Sequence, residues 1–142
     1  MVQLYYGDGK GKTTAAVGAA VRAAGAGESV LFVSFYKDGS SYEVAALERL
    51  GVQCLFPREQ FQMFCPVTAE KQAALAADYA RLLTEIDAVA ADCFLVVLDE
   101  GADAFAGDLL PRQAVLDLLQ RHGKHGTSAA FHPIADFNNT FL

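Results

Sequence analysis

An α/β fold with a mainly parallel sheet is predicted by three observations. Apolar, β-prone runs alternate with helix-forming stretches; a glycine-rich loop joins the first run to the first helix; and the most apolar run ends in two acids. Right-handed crossovers would put helices on both faces of the sheet, giving three layers. With 142 residues, 53% of them hydrophobic, the chain is long enough for one core, so residues 1–142 are expected to form a single domain.

Residues 2–6 form a short strand-like run, and the loop from Gly7 to Gly11 leads into an alanine-rich helix over 13–24. Gly25 and Gly27 end that helix. Residues 30–35, V-L-F-V-S-F, follow as a strand buried on both faces, which completes a first β–α–β unit. A helix over 42–50 stops at Gly51, and residues 52–56 supply a third strand. The aromatic, proline-containing connection over 57–66 is the candidate substrate-facing loop.

Thr68 is placed to cap a long helix reaching about residue 91. Leu75, Tyr79, Leu82, Leu83, Ile86 and Ala90 recur at spacings of three and four and make one apolar stripe, leaving Asp78, Arg81 and Glu85 on the other face. Residues 94–98, F-L-V-V-L, form the most hydrophobic strand and end in Asp99 and Glu100 at the carboxyl edge of the sheet, where ligands of such folds sit. Pro111 suits the first turn of a last helix, with Val115, Leu116, Leu118 and Leu119 to pack and Gly123 to end it. Beyond Gly123 the periodicity fades, and residues 123–142 form an atypical tail.

Composition excludes several functions. A net charge of −6, from 17 acidic and 11 basic residues without a basic tract, argues against nucleic acid as a partner. Cys54, Cys65 and Cys93 are odd in number and contain no C-x-x-C pair, which argues against disulfides and zinc; each is expected as a small buried hydrophobe. No run approaches the roughly 20 apolar residues of a membrane span, and the N-terminus lacks a leader's pattern, so a cytoplasmic protein is expected.

The glycine loop carries the chemistry. A triphosphate needs several converging donors, and a loop opening a helix supplies them as backbone N–H groups backed by the helix dipole. Gly7, Gly9 and Gly11 allow close approach, with Asp8 and Thr14 in the same segment. Lys12 would set its charge against the phosphates and the Thr13 hydroxyl would ligate Mg²⁺, with Lys10 as a second cation. This is P-loop logic, although Tyr6 stands where the common G-x-x-x-x-G-K-[ST] pattern has its first glycine. Mg²⁺ prefers hard oxygen ligands, so the acids ending the apolar strand complete the site, with Glu100 assigned to the metal or its bound water and Asp99 behind it. His122, His125 and His132 fit no zinc spacing and are read as solvated loop histidines. Phe61, Met63 and Phe64 form either an apolar platform for a flat ligand or a satellite core under their loop.

Residues 6–16, Y-G-D-G-K-G-K-T-T-A-A, resemble the glycine–lysine loop of the P-loop-type ATP:corrinoid adenosyltransferases, whose G-[ND]-G-K-G-K-[ST]-[ST]-A-A pattern is far more specific than a generic P-loop. The likeness continues through V-S-F-Y-K at 33–37, E-R-L-G-V at 48–52, L-V-V-L-D-E at 95–100 and Leu109–Leu110. It implies a P-loop NTPase-like fold. It also implies an enzyme that transfers the 5′-deoxyadenosyl group of ATP to the cobalt of a reduced corrinoid and releases triphosphate. Such proteins are usually homodimers served by an electron-donating reductase. On this resemblance Lys12 and Glu100 are the catalytic residues, residues 7–14 hold ATP, Thr13 and Glu100 hold Mg²⁺, and Phe61 and Phe64 cover the corrinoid's lower face.

The chain departs from the family pattern in two places. One is the N-terminal extension that helps cover the corrinoid, which is not expected before the first strand. After the last helix, where the family has a hydrophobic strand, a T-G-[RH] turn and a final helix, residues 126–133 read G-T-S-A-A-F-H-P, with at best a feeble strand over 128–131. The expectation drawn from this is a truncation or reading-frame change that replaces the closing strand and helix. If the tail is genuine, the family's C-terminal strand and helix are missing and an exposed sheet edge is expected. Two other functions are compatible with the residues: a generic P-loop ATPase or kinase, and a non-catalytic nucleotide-binding remnant.

Overall fold

The computed structural model describes residues 4–6, 10–59, 68–123 and 139–141. In chain order the elements are β1 (Leu4–Tyr6), α1 (Lys12–Gly25), β2 (Val30–Ser34), α2 (Tyr42–Arg49), β3 (Gln53–Leu55), α3 (Ala69–Ala90), β4 (Leu95–Asp99), α4 (Gly101–Ala106), α5 (Arg112–His122) and β5 (Asn139–Phe141). The expected alternation of strands and helices is present.

Three strands form a parallel sheet in the order β3-β2-β4. Strand β2 is central, with Val30 paired to Leu95 and Ser34 to Asp99 on one side and Leu31 paired to Gln53 on the other. All five of its residues are buried, as its unbroken apolar run requires of a strand covered on both faces. The expected β–α–β unit differs at its first strand, because β1 is not laddered to this sheet. It pairs antiparallel with β5, Leu4 opposite Phe141 and Tyr6 opposite Asn139. Strand β5 also lies beside β4 and α4. A pair of three-residue strands closes few hydrogen bonds, so its position depends on such neighbours.

The side-chain period of two divides the core between the two faces. On one face Val30, Phe32 and Val97 pack with Ala16 and Ala20 of α1, Leu47 of α2 and Val52. The two alanines, four apart and fully buried, let α1 lie close to the sheet. On the other face Leu31, Val33, Phe35 and Leu98 meet Leu75, Tyr79, Leu82, Leu83 and Ile86 of α3 and Val115 and Leu118 of α5. The stripe predicted for α3 is therefore the stripe that is buried. Tyr79 stacks on Phe35, with ring centroids 6.0 Å apart, and its hydroxyl donates to the Phe35 carbonyl, tying α3 to the end of β2.

Several expectations are corrected. Asp78, assigned to the polar face of α3, is only 7% exposed: its carboxylate accepts the backbone N–H groups of Arg58 and Glu59 and pairs with Arg81. Phe94 precedes β4 and is 68% exposed. Pro111 caps α5 instead of standing in its first turn. Cys54 and Cys93 are half-buried, burial and then Glu48 pushing the Cys54 thiol up to about 11; Cys65 lies outside the described residues. His122 is not solvated in a loop: it ends α5 with Nε2 2.7 Å from Asp87 Oδ1, beside the Arg121–Asp87 ion pair. Helix α4, six residues long, is an addition to the expected elements. The expected weak strand over 128–131 lies outside the described residues, and β5 is instead found further along the tail.

Candidate functional site

Helix α1 begins where the chain turns sharply. Gly11 has φ +106°, a left-handed conformation that suits glycine, and its carbonyl accepts the first bond of α1 from Ala15 N–H at 2.8 Å. Lys12 and Thr13 in the first turn are half-buried, while Lys10 and Thr14 are exposed. Gly7, Asp8, Gly9, Phe61 and Phe64 lie outside the described residues.

Strand β4 brings Asp99 to the same point. Pairing in parallel register with Ser34 puts both side chains on the α1 face of the sheet, and Asp99 is fully buried there. The Thr13 hydroxyl donates to Asp99 Oδ1 at 3.1 Å, joining two positions 86 residues apart. Lys37, three residues beyond β2, sets its ammonium 3.4 Å from Asp99 Oδ2 and 3.2 Å from Glu43 Oε1 in the first turn of α2. Burial opposes the Lys37 charge, but Asp99, Glu43 and Glu100 outweigh it and raise its pKa above the ordinary value. The Ser34 hydroxyl is buried without a hydrogen-bond partner.

Glu100 turns the chain from β4 into α4. Its φ of +60° is left-handed, a conformation costing a non-glycine residue about 1–3 kcal/mol, so the surrounding packing must impose it. The next residue has little freedom. A Cβ on Gly101 would stand 3.1 Å from both the Leu98 Cβ and the Phe35 ring. Glu100 Oε2 is buried without a partner. Burial raises the Glu100 pKa first, opposed by Lys37 and reinforced by Asp99 and Asp103. Nearby, burial and then Asp103 and Glu100 raise the Tyr36 phenol.

Thr13 therefore meets Asp99 directly, with Glu100 beside it. Sequence reasoning gave Asp99 only a supporting place and left Lys37 and Ser34 without a role. The signal for Lys37 was its position just past the carboxyl end of an apolar strand. Among the described residues no three His, Cys, Asp or Glu side chains converge to hold a metal. Mg²⁺ does not require such a cage, because it commonly takes one or two protein oxygens and completes its shell with phosphates and water. The Thr13 hydroxyl, the Asp99 carboxylate and the two unpartnered buried oxygens suit that chemistry.

A parallel α/β sheet whose apolar strand ends in an aspartate bonded to the hydroxyl of a glycine-preceded helix defines a P-loop NTPase-like nucleotide-binding fold. The model of one such family, ATP:corrinoid adenosyltransferase BtuR/CobO/CobP, matches residues 1–128, and the chain belongs to that family. No curated protein matches it. No helix among the described residues is long and apolar enough to cross a membrane.

Proposed function

We propose that the protein transfers the 5′-deoxyadenosyl group of ATP to the cobalt of a reduced corrinoid and releases triphosphate. The Thr13–Asp99 contact at the mouth of α1 carries the nucleotide end of this proposal, and family membership carries the acceptor. In the reaction the Co(I) of the substrate supplies an electron pair to the ribose C5′, a Co–C bond forms, and the C5′–O bond breaks as its electrons leave with triphosphate. No protein nucleophile is needed.

The protein's part is to hold the leaving group. Charge grows on the departing triphosphate, and groups fixed in place before the reaction stabilise it most effectively. The N–H groups opening α1 and the Lys12 ammonium are assigned to the phosphates. Thr13, Asp99 and Glu100 are assigned to Mg²⁺, which when bound neutralises charge on the phosphate oxygens. Glu100 is half-buried next to Asp99 in the chain, and its buried, unpartnered Oε2 supports that assignment. Phe61 and Phe64 are assigned to the corrinoid. A homodimer, a partner reductase and a cytoplasmic location complete the proposal and rest on the family resemblance.

The test is an anaerobic assay of the purified chain with MgATP and chemically reduced cob(I)alamin, following the corrinoid spectrum and assaying triphosphate. Adenosylated product with stoichiometric triphosphate is expected. ADP and phosphate would indicate an ordinary ATPase or kinase, and bound ATP without product a nucleotide-binding remnant.

A further inference from the structure

Each oxygen of Asp99 has a partner before any ligand arrives. One oxygen accepts from Thr13 and the other faces Lys37, while the side chain is 1% exposed. A carboxylate so enclosed needs a compensating charge, and Lys37 supplies it. The same ammonium lies 3.2 Å from Glu43, so it is shared between a buried acid and a more exposed one. On the α1 face next to Asp99, the Ser34 hydroxyl is buried with its hydrogen-bonding capacity unused.

We propose that Lys37 is a positioning residue that acts as an internal counter-ion of Asp99 and makes divalent-cation binding conditional on the nucleotide. The inference rests on the assignment of Thr13 and Asp99 to the metal–nucleotide site. A free divalent cation approaching Asp99 would meet an ammonium already on that carboxylate, with like charges a few ångströms apart and little water between them. A metal–triphosphate reverses the balance, because it brings net negative charge that gives Lys37 a new partner. Lys37 keeps Glu43 throughout, so it leaves Asp99 without passing through an unpaired state. The Ser34 hydroxyl then becomes available to the cation's bound water.

The probe is Mn²⁺ on the full chain, with free Mn²⁺ measured by electron paramagnetic resonance and folding checked by thermal melting. Without nucleotide, Lys37→Met is expected to bind Mn²⁺ at least tenfold more tightly than the wild type, and Lys37→Met combined with Asp99→Asn to lose that gain. Equal Mn²⁺ affinity in Lys37→Met and wild type, with Mn–ATP still bound by the wild type, would overturn the proposal and leave Lys37 a structural counter-ion. A wild type that binds ATP but gains nothing from Mn²⁺ would remove the metal assignment and the proposal together. A second variant covers a Lys37→Met protein that does not fold: Glu43→Gln confines Lys37 to Asp99. It is expected to weaken Mn–ATP binding several-fold while leaving metal-free ATP binding unchanged; unchanged Mn–ATP affinity would count against the exchange.

Discussion

Two buried aspartates, one on each side of the sheet, differ in the company they keep. Asp78 on α3 accepts Arg58 N–H at 2.5 Å and Glu59 N–H at 2.8 Å through one oxygen, and takes Arg81 on the other. Its partners are two backbone amides and a guanidinium from the next turn, which is also paired with Glu85. Asp99 is held by a hydroxyl in a helix's first turn and an ammonium shared with Glu43. Asp78 is closed on one oxygen by two backbone amides fixed by the path of the chain, whereas both oxygens of Asp99 are met by side chains alone. A buried charge closed by backbone amides fixes structure, and one closed by mobile side chains keeps capacity for chemistry.

The largest effect expected from this contrast is at Asp99. Asp99→Asn keeps an oxygen for the Thr13 hydroxyl and removes the charge, so adenosyl transfer should fall by about 10²–10³, in the range seen when one preorganised transition-state contact is lost. The fold should survive, because Lys37 retains Glu43. Transfer within tenfold of wild type, in the same anaerobic assay, would break the comparison.

Asp78→Asn should show the opposite pattern. Losing hydrogen bonds to an ionised acceptor should cost about 1.5–3 kcal/mol of stability in urea denaturation, with ATP affinity unchanged. A pH signature accompanies it. Burial pushes the Asp78 carboxyl up, but the Glu59 and Arg58 amides and Arg81 outweigh it and hold the pKa below the ordinary 3.8. With a depressed folded value, the stabilisation is complete above pH 3.8 and is lost as pH falls through that folded value. Wild type should therefore lose stability in that acid window, and Asp78→Asn should lack this component.

The same contrast explains what the sequence could reveal. Periodicity exposed the apolar stripe of α3 and the buried run of β2, because hydrophobic spacing is a local property that folding preserves. The glycine–lysine motif and the acids ending β4 are local patterns too, and the structure brings Thr13 and Asp99 together at one edge of the sheet. The partners of Asp78 and Asp99 were hidden. Asp78 flanks the apolar stripe of α3, three residues after Leu75 and four before Leu82, but its charge reads as solvent-facing, and nothing local shows that the chain after β3 returns 20 residues away to bring Arg58 N–H onto it. Thr13 and Asp99 are each readable as candidate site residues, but their contact across 86 positions exists only after the sheet is built. Helix α4 is six residues long, too short for a periodic signal, and begins at the left-handed Glu100 instead of a familiar cap.

The segment carrying Lys37 offers a sharper test of whether the Asp99 side includes its loop. Gly39 has φ +82°, and a Cβ there would stand 2.9 Å from the Phe56 ring. Gly39→Ala adds left-handed strain of about 1–2 kcal/mol to the displacement of that ring. Stability should fall by about 2 kcal/mol by this reckoning, and ATP affinity should weaken by about 0.5–1 kcal/mol, roughly two- to fivefold, as Lys37 and Glu43 shift. Adding Phe56→Leu should recover the steric part of the loss. Unchanged nucleotide affinity alongside lowered stability would exclude the loop from the site.

The smallest effect calibrates the Asp78 side. Thr68 caps α3 with its hydroxyl accepting Lys71 N–H at 3.2 Å, a single neutral acceptor at an exposed position. Thr68→Ala should cost about 1 kcal/mol in urea denaturation, Thr68→Ser close to nothing, and neither should alter ATP binding. The comparison then turns on a ratio within one helix. Asp78 accepts two amides and a guanidinium while buried, so Asp78→Asn should cost about twice as much as Thr68→Ala, because charge-assisted bonds are about twice as strong as neutral ones. Equal losses at the two positions would mean that the Asp78 charge contributes no more than a neutral cap, and the division between structural and chemical buried acids would fail on its structural side.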